Sequence, residues 1–200
     1  MNALDTATPR GDQRRTALLG ALDALLQDST LEAINISEIS RRAGVTRSAF
    51  YFYFENKAAA VAALMEQMYD DTAAAAAHLT GEGSPQERIE ATIRGLFASW
   101  DRHEHLCRAT LEARASSPAV RELWDADRES FVPVVAAMIE AERAAGRAPG
   151  GVPAPTLASV LLELNDRMLE RVALGGPLER EELVEGVVAV WLRSIYGRTS

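Results

Sequence analysis

Between Asn35 and Lys57 the chain spells two very short helices on either side of one glycine, and that punctuation restricts its fold more than any other feature. Asn35 reads as an N-cap, with Glu38 at N3 to complete a capping box. The helix it opens runs from Ile36 to Ala43, with Ile36, Ile39 and Ala43 turned inward. Gly44 ends it as a C′ residue, free to take the positive φ the turn needs. Thr46 then caps a second short helix, Arg47 to about Phe54. Two such helices about a glycine turn, with Val45 plugging the angle between them, have helix-turn-helix geometry.

The rest of the chain has the same helical grammar. No run of alternating β-branched residues bounded by turns occurs, and there is no internal repeat. A first helix spans about Asp12 to Leu26, where Leu18, Leu19, Leu22, Leu25 and Leu26 define one buried face. Asn56 caps a long alanine-rich helix from Lys57 to about Leu79. Ser84-Pro85-Gln86-Glu87 combines an N-cap, a proline at N1 and a capping-box glutamate, and its helix runs to about Arg102. Shorter signals give helices over Glu104–Ala115, Ser117–Ala145 with a kink at Pro133, Thr156–Leu174 and Glu179–Tyr196. The expectation is an all-α chain of nine helices, divided into residues 1–57 and residues 58–200.

Charge separates the same two parts. The net charge of −8 argues at first against nucleic acid, but residues 1–57 carry seven basic and seven acidic residues, whereas residues 58–200 carry 14 and 22. A neutral N-terminal part can meet DNA if its arginines share a face. No apolar stretch is long enough for a membrane span, and Met1 to Arg10 has no apolar core of a secretory leader. A single cysteine, Cys107, excludes an internal disulfide framework and makes a reducing cytoplasm the default location.

The second short helix presents Arg47, Ser48, Tyr51 and Phe52 near its start and along one side. Small polar residues at its front let it enter a major groove, where an arginine reaches a guanine edge in bidentate fashion. Tyr51 and Tyr53 offer hydroxyls, and Lys57 stands at a helix N-terminus, where phosphate is favoured. The bland alternative is that the aromatic run is core. Successive helical residues turn by about 100°, so Tyr51, Phe52, Tyr53 and Phe54 cannot all face one core. Phe50 and Phe54 are the buried pair, and at least one of Tyr51, Phe52 and Tyr53 faces outward.

The run Gly44-Val45-Thr46-Arg47-Ser48-Ala49-Phe50-Tyr51-Phe52-Tyr53-Phe54-Glu55-Asn56-Lys57 resembles the signature of the TetR family of transcriptional regulators. The resemblance implies that the first three helices bind DNA and the remainder binds ligand and dimerises. It implies base or phosphate contacts for Arg47, Ser48 and Tyr51, and phosphate contacts for Tyr53 and Lys57. Ala49 stands where the family commonly has a polar residue, so one phosphate contact is missing. Further on, Glu122-Leu123-Trp124, Ile139-Glu140-Ala141-Glu142-Arg143, Asn165-Asp166-Arg167 and Trp191-Leu192-Arg193-Ser194-Ile195-Tyr196-Gly197 are similar to the EthR-type (ethionamide-response repressor) subgroup. That resemblance implies a mostly apolar tunnel at Ile89, Leu96, Trp100, Trp124, Phe131, Val134, Val135, Met138, Asn165, Leu169 and Trp191. Phe131, Val134 and Val135 are smaller or less polar than the subgroup's pattern, and Leu162 replaces an expected second asparagine, which implies a different ligand.

Taken from the residues alone, Trp100, Trp124, Phe131 and Trp191 are either core filler or the lining of a pocket with Asn165 as a polar anchor. Asn165 either orients a ligand's amide, ester or hydroxyl, or faces solvent or a neighbouring helix. Apolar stripes at Val160, Leu161, Leu164 and Met168 and at Leu183, Val187, Val190 and Ile195 suit a two-fold four-helix interface, or else the internal core. His103 and Cys107 supply only two converging metal ligands, too few for zinc, so neither a metal nor another cofactor is expected. No catalytic motif is present. The leading expectation is a homodimeric repressor that holds a double-stranded palindromic operator and releases it when a small hydrophobic effector binds. The rivals are an activator, an enzyme on a helical scaffold, and a helical small-molecule or lipid-binding protein without a transcriptional role.

Overall fold

A computed structural model describes residues 10–197, and the expected absence of a leader concerns residues that lie, apart from Arg10, outside that range. The described residues form ten α-helices: α1 (Arg10–Leu26), α2 (Ile36–Arg42), α3 (Arg47–Tyr53), α4 (Lys57–Ala77), α5 (Pro85–Arg102), α6 (Glu104–Ser116), α7 (Pro118–Ser130), α8 (Val132–Ala144), α9 (Ala154–Ala173) and α10 (Arg180–Tyr196). A 3-10 turn over His78–Thr80 extends α4. Counted as one bent helix, α7 and α8 restore the expected nine.

That bend differs in place and kind from the kink expected at Pro133. The helix breaks at Phe131, and Pro133 occupies the first turn of α8. Proline lacks an N–H and its ring crowds the carbonyl one turn earlier, so the chain stops α7 first and uses proline where a helix tolerates it.

The turn between α2 and α3 closes as the sequence demands. Gly44 has φ of 68°, its N–H donates to Arg41 O, and the Val45 N–H donates to Ser40 O, the paired bonds of a Schellman motif. Asn35 accepts from the Glu38 N–H, but the expected capping box stays half-made because the Glu38 carboxylate turns to Arg41. The box at Ser84 and Glu87 does close, with both reciprocal bonds present.

Two cores result. Leu18, Leu22 and Leu26 of α1 pack with Ile39, Phe50 and Phe54, and with Val61 and Leu64 of α4; Leu106 and Ala113 of α6 complete that cluster. The second core gathers α5, α8, α9 and α10 around Ile93, Phe97, Ile139, Leu161, Val187 and Trp191. The helix-turn-helix ends near Lys57, yet the two cores meet further along, where Met68 of α4 packs against both. No helix of the described residues is long and apolar enough to cross a membrane.

Candidate functional site

α3 is held from below and open above. Phe50 and Phe54 are buried, with ring centroids 5.6 Å apart, while Tyr51 is 47% and Phe52 80% exposed. Arg47 and Ser48 are exposed on the same helix. The Arg47 guanidinium lies 5.7 Å from the Tyr51 ring centroid and donates to its hydroxyl at 3.2 Å. One turn of helix thus presents a cation, two hydroxyls and an unburied phenyl ring. Tyr53 is half-buried, with its hydroxyl near Gly11 at the start of α1. Lys57 does something the sequence did not signal: its ammonium donates to the carbonyls of Leu31, Glu32 and Ile34 and so ties down the α1–α2 loop.

The second site lies inside the C-terminal part. A cavity of about 100 Å³ is lined by residues of α4 to α10. It is lined by Leu96, Trp100, Trp124, Phe131, Val134, Val135, Asn165, Leu169 and Trp191, all expected from the sequence. Ile89 and Met138 do not reach it and belong to the surrounding core. Leu162 does line it, placing hydrocarbon where the resemblance implied an amide.

The polar groups in this wall are mostly engaged. Trp191 Nε1 donates to Asn165 Oδ1 at 3.0 Å, and Trp124 Nε1 donates to Asp166 Oδ2 at 2.8 Å. The Trp100 and Trp124 rings meet edge to face at 5.8 Å. Burial pushes the Asp166 carboxyl up to about 6, although the Trp124 and Arg128 hydrogen bonds favour its charged form. Burial likewise pushes the Cys107 thiol up to about 12, which makes it a poor nucleophile and a poor metal ligand. His103 pairs with Asp71, and His105 with Asp23 at 2.8 Å. Among the described residues no group of three or more His, Cys, Asp or Glu side chains is placed to hold a metal ion.

Several lining residues were not anticipated: Met65, Met68, Thr72, Ala75 and Ala76 of α4, Thr110 of α6, and Asp127 and Arg128 of α7. The α4 set recurs at near-heptad intervals, a periodicity that marks one face of a helix and was legible in principle. Of the two proposed pairing stripes, Leu161, Leu183, Val187 and Ile195 are buried in the chain's own core. Val160 at 60% and Val190 at 43% stand exposed, with Leu164 and Met168 half-buried.

Comparison with known proteins matches both parts. Residues 18–64 match the bacterial regulatory proteins of the tetR family, and residues 89–197 match the C-terminal domain of the transcriptional regulator EthR. The HTH-type transcriptional regulator EthR of Mycobacterium tuberculosis is 32% identical over 197 residues, covering 96% of this chain and 91% of that one. The protein of the same name from Mycolicibacterium smegmatis is 34% identical over 196 residues, covering 96% and 90%. Among solved structures, Bacillus subtilis FadR, a transcriptional regulator in complex with stearoyl-CoA, superposes with a TM-score of 0.69 at 16% identity, covering 92% of this chain and 99% of that one. NalD of Pseudomonas aeruginosa, the secondary repressor of a multidrug efflux pump, gives 0.68 at 18% identity, covering 92% and 97%. The helix-turn-helix, the cavity-bearing helical domain and these relatives agree: the chain belongs to the TetR family of DNA-binding transcriptional regulators and carries an EthR-type C-terminal domain.

Proposed function

We propose that this regulator is a cytoplasmic homodimeric repressor whose α3 helices hold a palindromic operator until an apolar effector enters the cavity. The observation that carries the reading is the double duty of α4. Its first turns, Ala60, Val61 and Leu64, build the core beneath α2 and α3, while Met65, Met68, Thr72, Ala75 and Ala76 form one wall of the cavity. A cavity of about 100 Å³ is small beside the roughly 300–1,000 Å³ of ordinary ligand pockets. A drug-sized effector therefore needs a wall to move, and α4, one of the seven helices around the cavity, is the helix on which the DNA-reading head is mounted. The effector must prefer the DNA-incompetent arrangement, by about 1–3 kcal/mol for typical coupling.

On DNA, Arg47 would read a base edge, with Ser48, Tyr51, Phe52 and Tyr53 on neighbouring bases and phosphates. Lys57 would reach phosphate only by giving up some of its loop carbonyls. Two heads on half-sites about 34 Å or more apart need a dimer. The exposed Val160 and Val190 support a dimer contact on α9 and α10. In the cavity the Asn165 carbonyl is occupied by Trp191, which leaves the amide nitrogen to donate to a ligand's carbonyl or hydroxyl oxygen.

Fluorescence anisotropy on DNA from upstream of the gene, against scrambled DNA over a salt series, tests the DNA arm. The expected result is specific binding that weakens steeply with salt and loses about 1–3 kcal/mol in Arg47→Ala. Equal affinity for both DNAs, undisturbed by Arg47→Ala, would refute it.

A further inference from the structure

Within the cavity one charged group stands apart. Asp127 lies on α7, half-buried and lining the cavity, and it makes no side-chain hydrogen bond or ion pair with any described residue. Burial pushes its carboxyl up from its ordinary value, and no partner offsets that penalty. The other two charged lining residues already have ionic partners, although the Arg128 Nε–H makes no hydrogen bond with any described residue. Arg128 is held by Asp125 at 3.0 Å, Glu163 at 2.9 Å and Asp166 at 3.3 Å. Asp166 takes hydrogen bonds from Trp124 and Arg128. The lining charges are thus one cation, neutralised several times over, and two carboxylates, one of them unpaired. Such a wall repels a carboxylate ligand and attracts an ammonium.

A second observation lies on α6. Thr110 lines the cavity, is 1% exposed, and its hydroxyl has no hydrogen-bond partner. A buried hydroxyl left unmatched is costly, and it can accept from an N–H as readily as donate. Helical spacing supplies the rest. Trp124, Asp127 and Arg128 of α7 and its C-cap residue Phe131 recur at i, i+3, i+4 and i+7, so the carboxylate shares the cavity-facing side of the helix with two aromatic residues. Aromatic faces beside a carboxylate favour organic cations over hydrated metal ions.

We infer that the effector of this regulator is a lipophilic amine, its ammonium held by the Asp127 carboxylate and its apolar body lying against Trp100, Trp124 and Phe131. This rests on the cavity being the effector site and narrows the effector from an apolar molecule to an amphiphilic cation. It leaves Asn165 for any oxygen acceptor elsewhere on the same molecule.

The test uses three probes with one body: phenylbutylamine, phenylbutanol and phenylbutyrate, cationic, neutral and anionic at neutral pH. Their binding to the full chain is followed by the fluorescence of the tryptophans that line the cavity, without DNA. The expected order is amine, alcohol, acid, with the amine about tenfold or more tighter than the alcohol, as for a hydrogen bond to a charged group. In the near-isosteric Asp127→Asn the amine's advantage over the alcohol collapses. Alcohol and amine binding alike, the acid binding tightest, or an amine advantage that survives in Asp127→Asn each overturn the inference while leaving the cavity as an effector site. Failure of all three probes to bind overturns both readings together.

Discussion

The recognition helix and the cavity are built in opposite ways. On the proposed reading α3 works with side chains turned away from its core, and Arg47, Ser48, Tyr51, Phe52 and Tyr53 lie within seven consecutive positions. The cavity works with side chains turned inward, drawn from seven helices scattered between Met65 and Trp191. Their supporting cores differ too. Among the described residues, Ser40 is the one buried polar residue on the N-terminal helices, whereas Thr92, Ser99, Thr110, Glu142 and Asn165 all lie on α5 to α9. An almost wholly hydrocarbon core underlies the helix-turn-helix. The C-terminal core carries buried polar groups and a cavity, and the cavity is where its packing leaves space. α4 passes between the two.

The largest effect that sharpens this contrast is on α3. Phe50→Ala removes a ring that is 0% exposed and should destabilise the chain by about 3–5 kcal/mol in denaturant unfolding. Phe52→Ala, two residues away and 80% exposed, should stay within about 0.5 kcal/mol of the parent. Comparable losses in both would mean that α3 is not divided into a buried and an open side.

A smaller effect belongs to the sensor core. Hydrogen bonds from Arg147, and then from Arg88, hold the buried Glu142 carboxyl down at about 2 against a burial penalty that raises it. A carboxyl with a depressed folded value contributes stability above its unfolded value and loses it as pH falls through the folded one. That loss spans pH from about 4.5 down to about 2, and the shift bounds it at roughly 3 kcal/mol. Thermal melts over this window should fall steeply in the parent and less steeply in Glu142→Gln.

The smallest effect lies where the sensor touches α4. A Cβ added at Gly95 of α5 would meet the Ala75 Cβ at 3.1 Å. Gly95→Ala should push α5 and α4 apart by a few tenths of an ångström, change stability by only about 1 kcal/mol, and weaken DNA binding a few-fold in anisotropy titrations.

The same contrast explains what was legible in the sequence. Gly44, Thr46 and the aromatic run carry their meaning within one turn of helix, so α2, α3 and the split between Phe50 and Phe52 could be read directly. Tryptophans on separate helices announced an apolar site, and their resemblance to a known subgroup located most of its wall. The break at Phe131 was misplaced because Pro133 says that a helix is disturbed, not on which side the disturbance is absorbed. Asp127 and Thr110 carried no signal, since an unpaired carboxylate and an unmatched hydroxyl exist only after distant helices have packed. The loop contacts of Lys57 are not legible in the sequence because its carbonyl partners lie more than twenty residues back, in a loop whose path spacing does not specify.

The central claim is that the position of α4 against the cavity sets competence for DNA. Ala76 lines the cavity from α4, and Ala76→Phe would fill it without any effector. Anisotropy titrations of this variant on operator DNA, with circular dichroism to confirm that it is folded, test the claim directly. The account predicts a folded protein whose DNA affinity falls about tenfold, the size of a typical coupling free energy. A folded Ala76→Phe that binds the operator as tightly as the parent would contradict it.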